Sequence, residues 1–67
     1  MLRLVRYNPV SKPIGTIVEV FKSQGNNARI GEVAEITDPD GNPLNIAKVI
    51  DIYEKDTDEY MSLKMIA

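Results

Sequence analysis

Apolar and polar residues alternate with a period of two through most of this chain, and clusters of Gly, Pro, Asp and Asn interrupt them. That pattern dictates short half-buried strands joined by turns. In "LRLVRY" (2–7), Leu2 and Leu4 share one face while Arg3, Val5 and Tyr7 share the other. "NPVSKP" (8–13) follows, and its prolines have no N–H to give a ladder, so it reads as an extended connection. "IGTIVEVFK" (14–22) carries Ile14, Thr16, Val18 and Val20 on one face and Ile17, Glu19 and Phe21 on the other. A strand apolar on both faces fits a wall that meets a neighbour.

"SQGNNA" (23–28) is a polar loop, and "RIGEVAEIT" (29–37) is the next strand. "PLNIAKVIDIY" (43–53) places Leu44, Ile46, Ile50 and Ile52 in phase, with Ala47, Val49 and Tyr53 opposite. After the acidic turn "EKDTD" (54–58), "EYMSLKMIA" (59–67) closes the chain. Its residues are good helix formers, so a helix is the alternative. The alternation of Met61, Leu63 and Met65 with Ser62 and Lys64 favours a strand.

At 67 residues the chain is a single domain, 1–67, with 1–13 as an N-terminal strand and proline-containing lead-in. A domain of this size buries only about 60% of the surface its unfolded chain exposes. Short strands at this length predict an all-β fold, a small closed or partly open antiparallel β-barrel of five or six strands. Neither cysteine nor histidine is present. Disulfides, thiolate metal sites and the commonest general base are therefore absent, and association with another chain is the remaining route to extra stability. No apolar run approaches the roughly 20 residues that cross a bilayer. The expectation is a cytoplasmic protein without membrane insertion.

Chemistry is sparse. Asp38, Asp40 and Asn42 in "EITDPDGNPLNI" are spaced like the start of a calcium loop. That loop needs glycine at its sixth position and glutamate at its twelfth, where this chain has Pro43 and Val49. The better reading is a hairpin: Asp38 caps a type I turn, Pro39 presets φ, and Gly41 supplies positive φ at a bulge. Ser11 and Lys12 are adjacent and point apart in an extended segment, and no phosphate loop is present. The expectation is a non-enzyme with no cofactor and no metal.

Charge divides along the chain. Residues 1–30 hold five cations and one acid, net +4, while residues 31–67 hold three cations and nine acids, net −6. A mixed solvated surface accounts for this, and so does a basic edge that meets an acidic edge on a neighbour. Ile17, Val18 and Phe21 are the candidate oligomer contacts. Arg3, Arg6, Lys12, Lys22 and Arg29, with Tyr7 and Phe21 for stacking, are the candidates for an alternative nucleic-acid face.

The succession "IGTIVEV", "ARIGEVAEI", "DGNPLNIAKVIDI" and "MSLKMI" resembles the N-terminal β-barrel shared by HerA-type DNA translocases and rotary ATP synthase subunits, the HAS barrel. Gly15, Gly31, Glu32, Gly41 and Val49 fall at the positions that carry the likeness, which spans about residues 14–66. The lead-in 1–13 lies outside it. The resemblance implies a non-catalytic collar, whose barrels pack side by side and stabilise a hexamer. Its partners would be further copies of itself or an ATPase core domain. Nucleic acid would be met directly or through the parent assembly.

Overall fold

The computed structural model describes residues 1–24 and 27–67. Five strands form one sheet: β1 (Leu2–Val5), β2 (Ile17–Phe21), β3 (Val33–Thr37), β4 (Pro43–Lys55) and β5 (Asp58–Met65). Their order across the sheet is β1-β3-β4-β5-β2. The β3–β4, β4–β5 and β5–β2 pairs are antiparallel, and β1 runs parallel to β3. The fold is all-β, as the alternation predicts. It is one open five-stranded sheet rather than a closed barrel, and it departs from the antiparallel expectation at one pairing, β1–β3, which is parallel. The parallel pairing follows from the long connection after β1, which returns the chain to the far side before β2 begins.

The sheet curls so that Leu4 and Val5 of β1 and Val18 and Val20 of β2 line a common cleft of ≈ 220 Å³. Its concave face is the core. Leu2, Leu4, Ala34, Ile36, Ala47, Val49, Met61, Leu63 and Met65 are buried there, with Val18, Val20, Leu44 and Ile52 packed against them. Met61, Leu63, Met65 and Val49 are the largest fully enclosed side chains. Each contributes about 1.5–3 kcal/mol by leaving water. The last segment is therefore a strand, and its inward residues are those the alternation marks.

Strand boundaries are shorter than the pattern predicts at three places. β1 stops at Val5, although the Arg6 amide still donates to the Thr37 carbonyl at 2.8 Å. Ile14 and Gly15 form a turn ahead of β2, and Lys22–Gln24 wind into a single 3-10 turn behind it. Residues 29–32 also turn, with the Glu32 carboxylate accepting the Arg29 amide at 3.1 Å, so β3 begins only at Val33.

β4 holds the main correction to the apolar phase. Val49 faces Leu63 and Asp51 faces Ser62, so Ile50 is an extra residue with no partner of its own. This bulge shifts the alternation by one. Ala47 and Val49 point inward before it and Ile52 points inward after it, whereas Ile50 is exposed. A second irregularity lies at Leu44, between the Ile36–Asn45 and Thr37–Pro43 pairs.

The 38–42 connection is the hairpin the sequence implies. The Gly41 amide donates to the Asp38 carbonyl at 3.0 Å, and Gly41 has φ +87. One Asp38 carboxylate oxygen accepts the Asp40 and Asn42 amides at 2.9 and 2.8 Å, and the other accepts the Asn42 side-chain amide at 3.0 Å. These bonds, the Asn42 side-chain amide first, hold the Asp38 carboxyl below its usual range.

Candidate functional site

β2 and β1 are the edges of the sheet, so each has one side without a strand partner. Strand register fixes what surrounds β2. Phe21 lies opposite Tyr60, and Tyr60 opposite Tyr53. Glu19 lies opposite Ser62, and Ser62 opposite Asp51. Ile17 lies opposite Lys64, and Lys64 opposite Lys48. The outer face of β2, β5 and β4 is thus a grid of three rows.

The aromatic row is stacked. The Phe21 and Tyr60 ring centroids are 5.0 Å apart, and those of Tyr60 and Tyr53 6.1 Å apart, with interplanar angles of 26° and 22°. The Lys55 ammonium sits 4.9 Å from the Tyr60 centroid, a cation–π contact. It also bonds the Glu19 carboxylate at 3.1 Å, the one ion pair among the described residues. The other Glu19 oxygen accepts the Tyr53 hydroxyl. The Tyr53 and Lys55 hydrogen bonds lower the Glu19 pKa, and Glu19 in return raises those of Tyr53 and Lys55. Glu19 is therefore held ionised, with its charge locally compensated.

Of the expected contact residues, Ile17 and Phe21 stand on this outer face and are 58% and 50% exposed. Val18 is on the other side of the strand, partly buried against the core. β2 is thus an edge strand that exposes two large apolar side chains.

The five basic residues do not converge. Arg3 lies opposite Glu35 on β1, and the Arg6 guanidinium donates to the Asn8 carbonyl at 3.0 Å. Arg3 and Tyr7 border one shallow cleft, and Arg6 and Tyr7 border the neighbouring one. Lys12 is in the lead-in, tied through its backbone to Asn45. Lys22 lines a cleft of ≈ 330 Å³ with Phe21, Thr57, Asp58 and Glu59, so its neighbours are acids. Arg29 is in the turn that Glu32 caps. Three of the four aromatic residues lie in the stacked row beside the acidic hairpin, apart from Arg3 and Arg6.

Reading the sequence by strands left Tyr53, Lys55 and Tyr60 without a place in a site. A two-residue turn at Asp56–Thr57 was the available signal, because it pairs Lys55 with Asp58 and Tyr53 with Tyr60. Among the described residues, no helix is long and apolar enough to cross a membrane. Comparison with known protein families, with curated proteins and with solved structures returned no match.

Proposed function

We propose that this protein is a non-catalytic assembly module, a small curled β-sheet whose role is contact between subunits. The observation that carries this reading is β2: a free edge strand whose outward residues Ile17 and Phe21 are more than half or half exposed. A chain this small gains stability from such contact. The curled, open five-stranded sheet and the resemblance to the HAS barrel support the same role. On that likeness the partners are further copies or an ATPase core, and the module is a collar beside DNA-translocating machinery in the cytoplasm.

Sedimentation velocity across a range of concentrations tests it. A concentration-dependent oligomer, or association with a separately supplied ATPase core, is expected. A monomer at millimolar concentration with no such association overturns it.

A second reading, nucleic-acid binding, has one observation in its favour: Tyr7 is 83% exposed and stands between the clefts bordered by Arg3 and Arg6. It requires binding to single-stranded nucleic acid that weakens steeply with salt and is reduced by Arg3→Ala or Arg6→Ala. Absence of binding at low salt removes it.

A further inference from the structure

We infer that the partner of β2 is β2 of a second copy, aligned antiparallel about a two-fold axis through Glu19, so that two five-stranded sheets become one. This rests on the assembly reading and specifies its geometry.

The strand is its own complement. β2 reads Ile-Val-Glu-Val-Phe, an apolar–Val–Glu–Val–apolar palindrome centred on Glu19. Residues directly opposite in an antiparallel pair share a face, so only registers that keep inward residues against inward residues are compatible with the curl. Centring on Glu19 does this throughout. Ile17 of one copy meets Phe21 of the other on the outer face, twice by symmetry. Val18 meets Val20 on the inner face, twice, and extends the apolar lining. Ile17 and Phe21, the two large apolar side chains that β2 leaves exposed in the single chain, are the two that this register covers. An isologous contact closes on itself and leaves no further β2 edge open.

The axis brings Glu19 opposite Glu19 of the second copy. Like charges directly across a strand pair are unfavourable. Each Glu19 already holds the Lys55 ammonium on one oxygen and the Tyr53 hydroxyl on the other. The axis is therefore crossed by two compensated ion pairs rather than by two bare carboxylates. This gives the Tyr53–Glu19–Lys55 arrangement a use that its small effect on an exposed surface does not explain.

Other faces fit less well. The β1 edge has Arg3 and Val5 facing outward on a strand of four residues and no comparable symmetry. The Asp56–Thr57 tip is acidic and lacks an exposed large apolar side chain.

The test is a charge-rescue series on the full chain, read by sedimentation equilibrium, with folding checked by amide NMR. Ile17→Lys alone and Phe21→Glu alone are each expected to weaken dimerisation by about tenfold or more, since both symmetric contacts are lost. The double variant Ile17→Lys/Phe21→Glu sets lysine against glutamate at both contacts and is expected to recover the dimer in a salt-sensitive way. Lys55→Gln is expected to weaken it, and Asp40→Lys in the β3–β4 hairpin to leave it unchanged. A wild-type oligomer indifferent to both single variants overturns this geometry while leaving the assembly reading intact. A double variant no better than the singles also overturns the register. A wild-type monomer at millimolar concentration removes self-association as a whole.

Discussion

Asn45 grips the backbone of Lys12 from both sides: its Oδ1 accepts the Lys12 amide at 2.8 Å, and its Nδ2 donates to the Lys12 carbonyl at 2.9 Å. The same Nδ2 donates to the Ala67 carbonyl at 3.1 Å. Asn45 is only 6% exposed and is the one buried polar residue among those described. It therefore fastens the lead-in, the start of β4 and the last residues at one point. Replacing it by Leu, of similar size, leaves the Lys12 groups without a protein partner. The expected loss is about 2 kcal/mol, read from urea unfolding.

The β4–β5 hairpin turns through two non-glycine residues with positive φ, Asp56 at 51° and Thr57 at 70°. That is the type I′ pattern, for which Asn-Gly is preferred. A β-branched residue is strained there. Asp56→Asn/Thr57→Gly is expected to stabilise the fold by about 1 kcal/mol, a rise of roughly 4–8 °C in Tm. An unchanged or lower Tm would show the tip to be relaxed as it stands.

Val18 and Ile17 are adjacent and face opposite ways. Val18→Asp places a carboxylate against the core and is expected to cost about 2 kcal/mol or more in the isolated chain. Ile17→Asp is expected to cost less than about 1 kcal/mol. Chemical denaturation at low protein concentration separates this folding effect from any effect on association.

Stability should fall at both ends of the pH scale. Asp38 and Glu19 have folded pKa values below the unfolded ones. Their contribution is complete above the unfolded carboxylate value of about 4, and is lost as pH falls through the folded values. Lys55 and Tyr53 are raised. Their contribution is complete below about 10 and is lost as pH rises through the folded values. Asp38→Asn should lower stability at neutral pH and flatten the acid limb of the unfolding profile. A profile that Asp38→Asn does not flatten would show that the turn carboxylate contributes no acid sensitivity.

What the sequence revealed and what it concealed follow from the range of the forces involved. The Asp38–Gly41 hairpin was legible because Asp, Pro and Gly act within four residues. The inward set Met61, Leu63 and Met65 was legible because β5 keeps its period from end to end. The inward set of β4 was not, because one unpaired residue at Ile50 reverses the alternation and nothing in "AKVIDI" marks where. Asn45 was hidden by its own polarity, since its partners Lys12 and Ala67 are distant in sequence. Ile17 and Phe21 could be placed on an outer face, and Val18 could not be kept with them, because neighbours in a strand cannot point the same way. The five cations failed to gather because only Arg3 lies on a strand: Arg6 and Lys12 follow β1, Lys22 follows β2, and Arg29 sits in the turn before β3.

Strand order also carries a consequence for how the molecule reaches its native state. β3, β4 and β5 form a meander joined by two tight hairpins, so its contacts close early and at little cost in chain entropy. β1 and β2 must instead find β3 and β5 over long separations, as in the pairing of Ile17 with Lys64. The meander is expected to be the folding nucleus, with φ-values of about 0.5 or above, and the two outer strands to dock after the transition state with values near zero. Interactions made late govern the unfolding rate. The strand that presents Ile17 and Phe21 is then also among the first to leave, and whatever binds it acts as a kinetic latch on the whole fold.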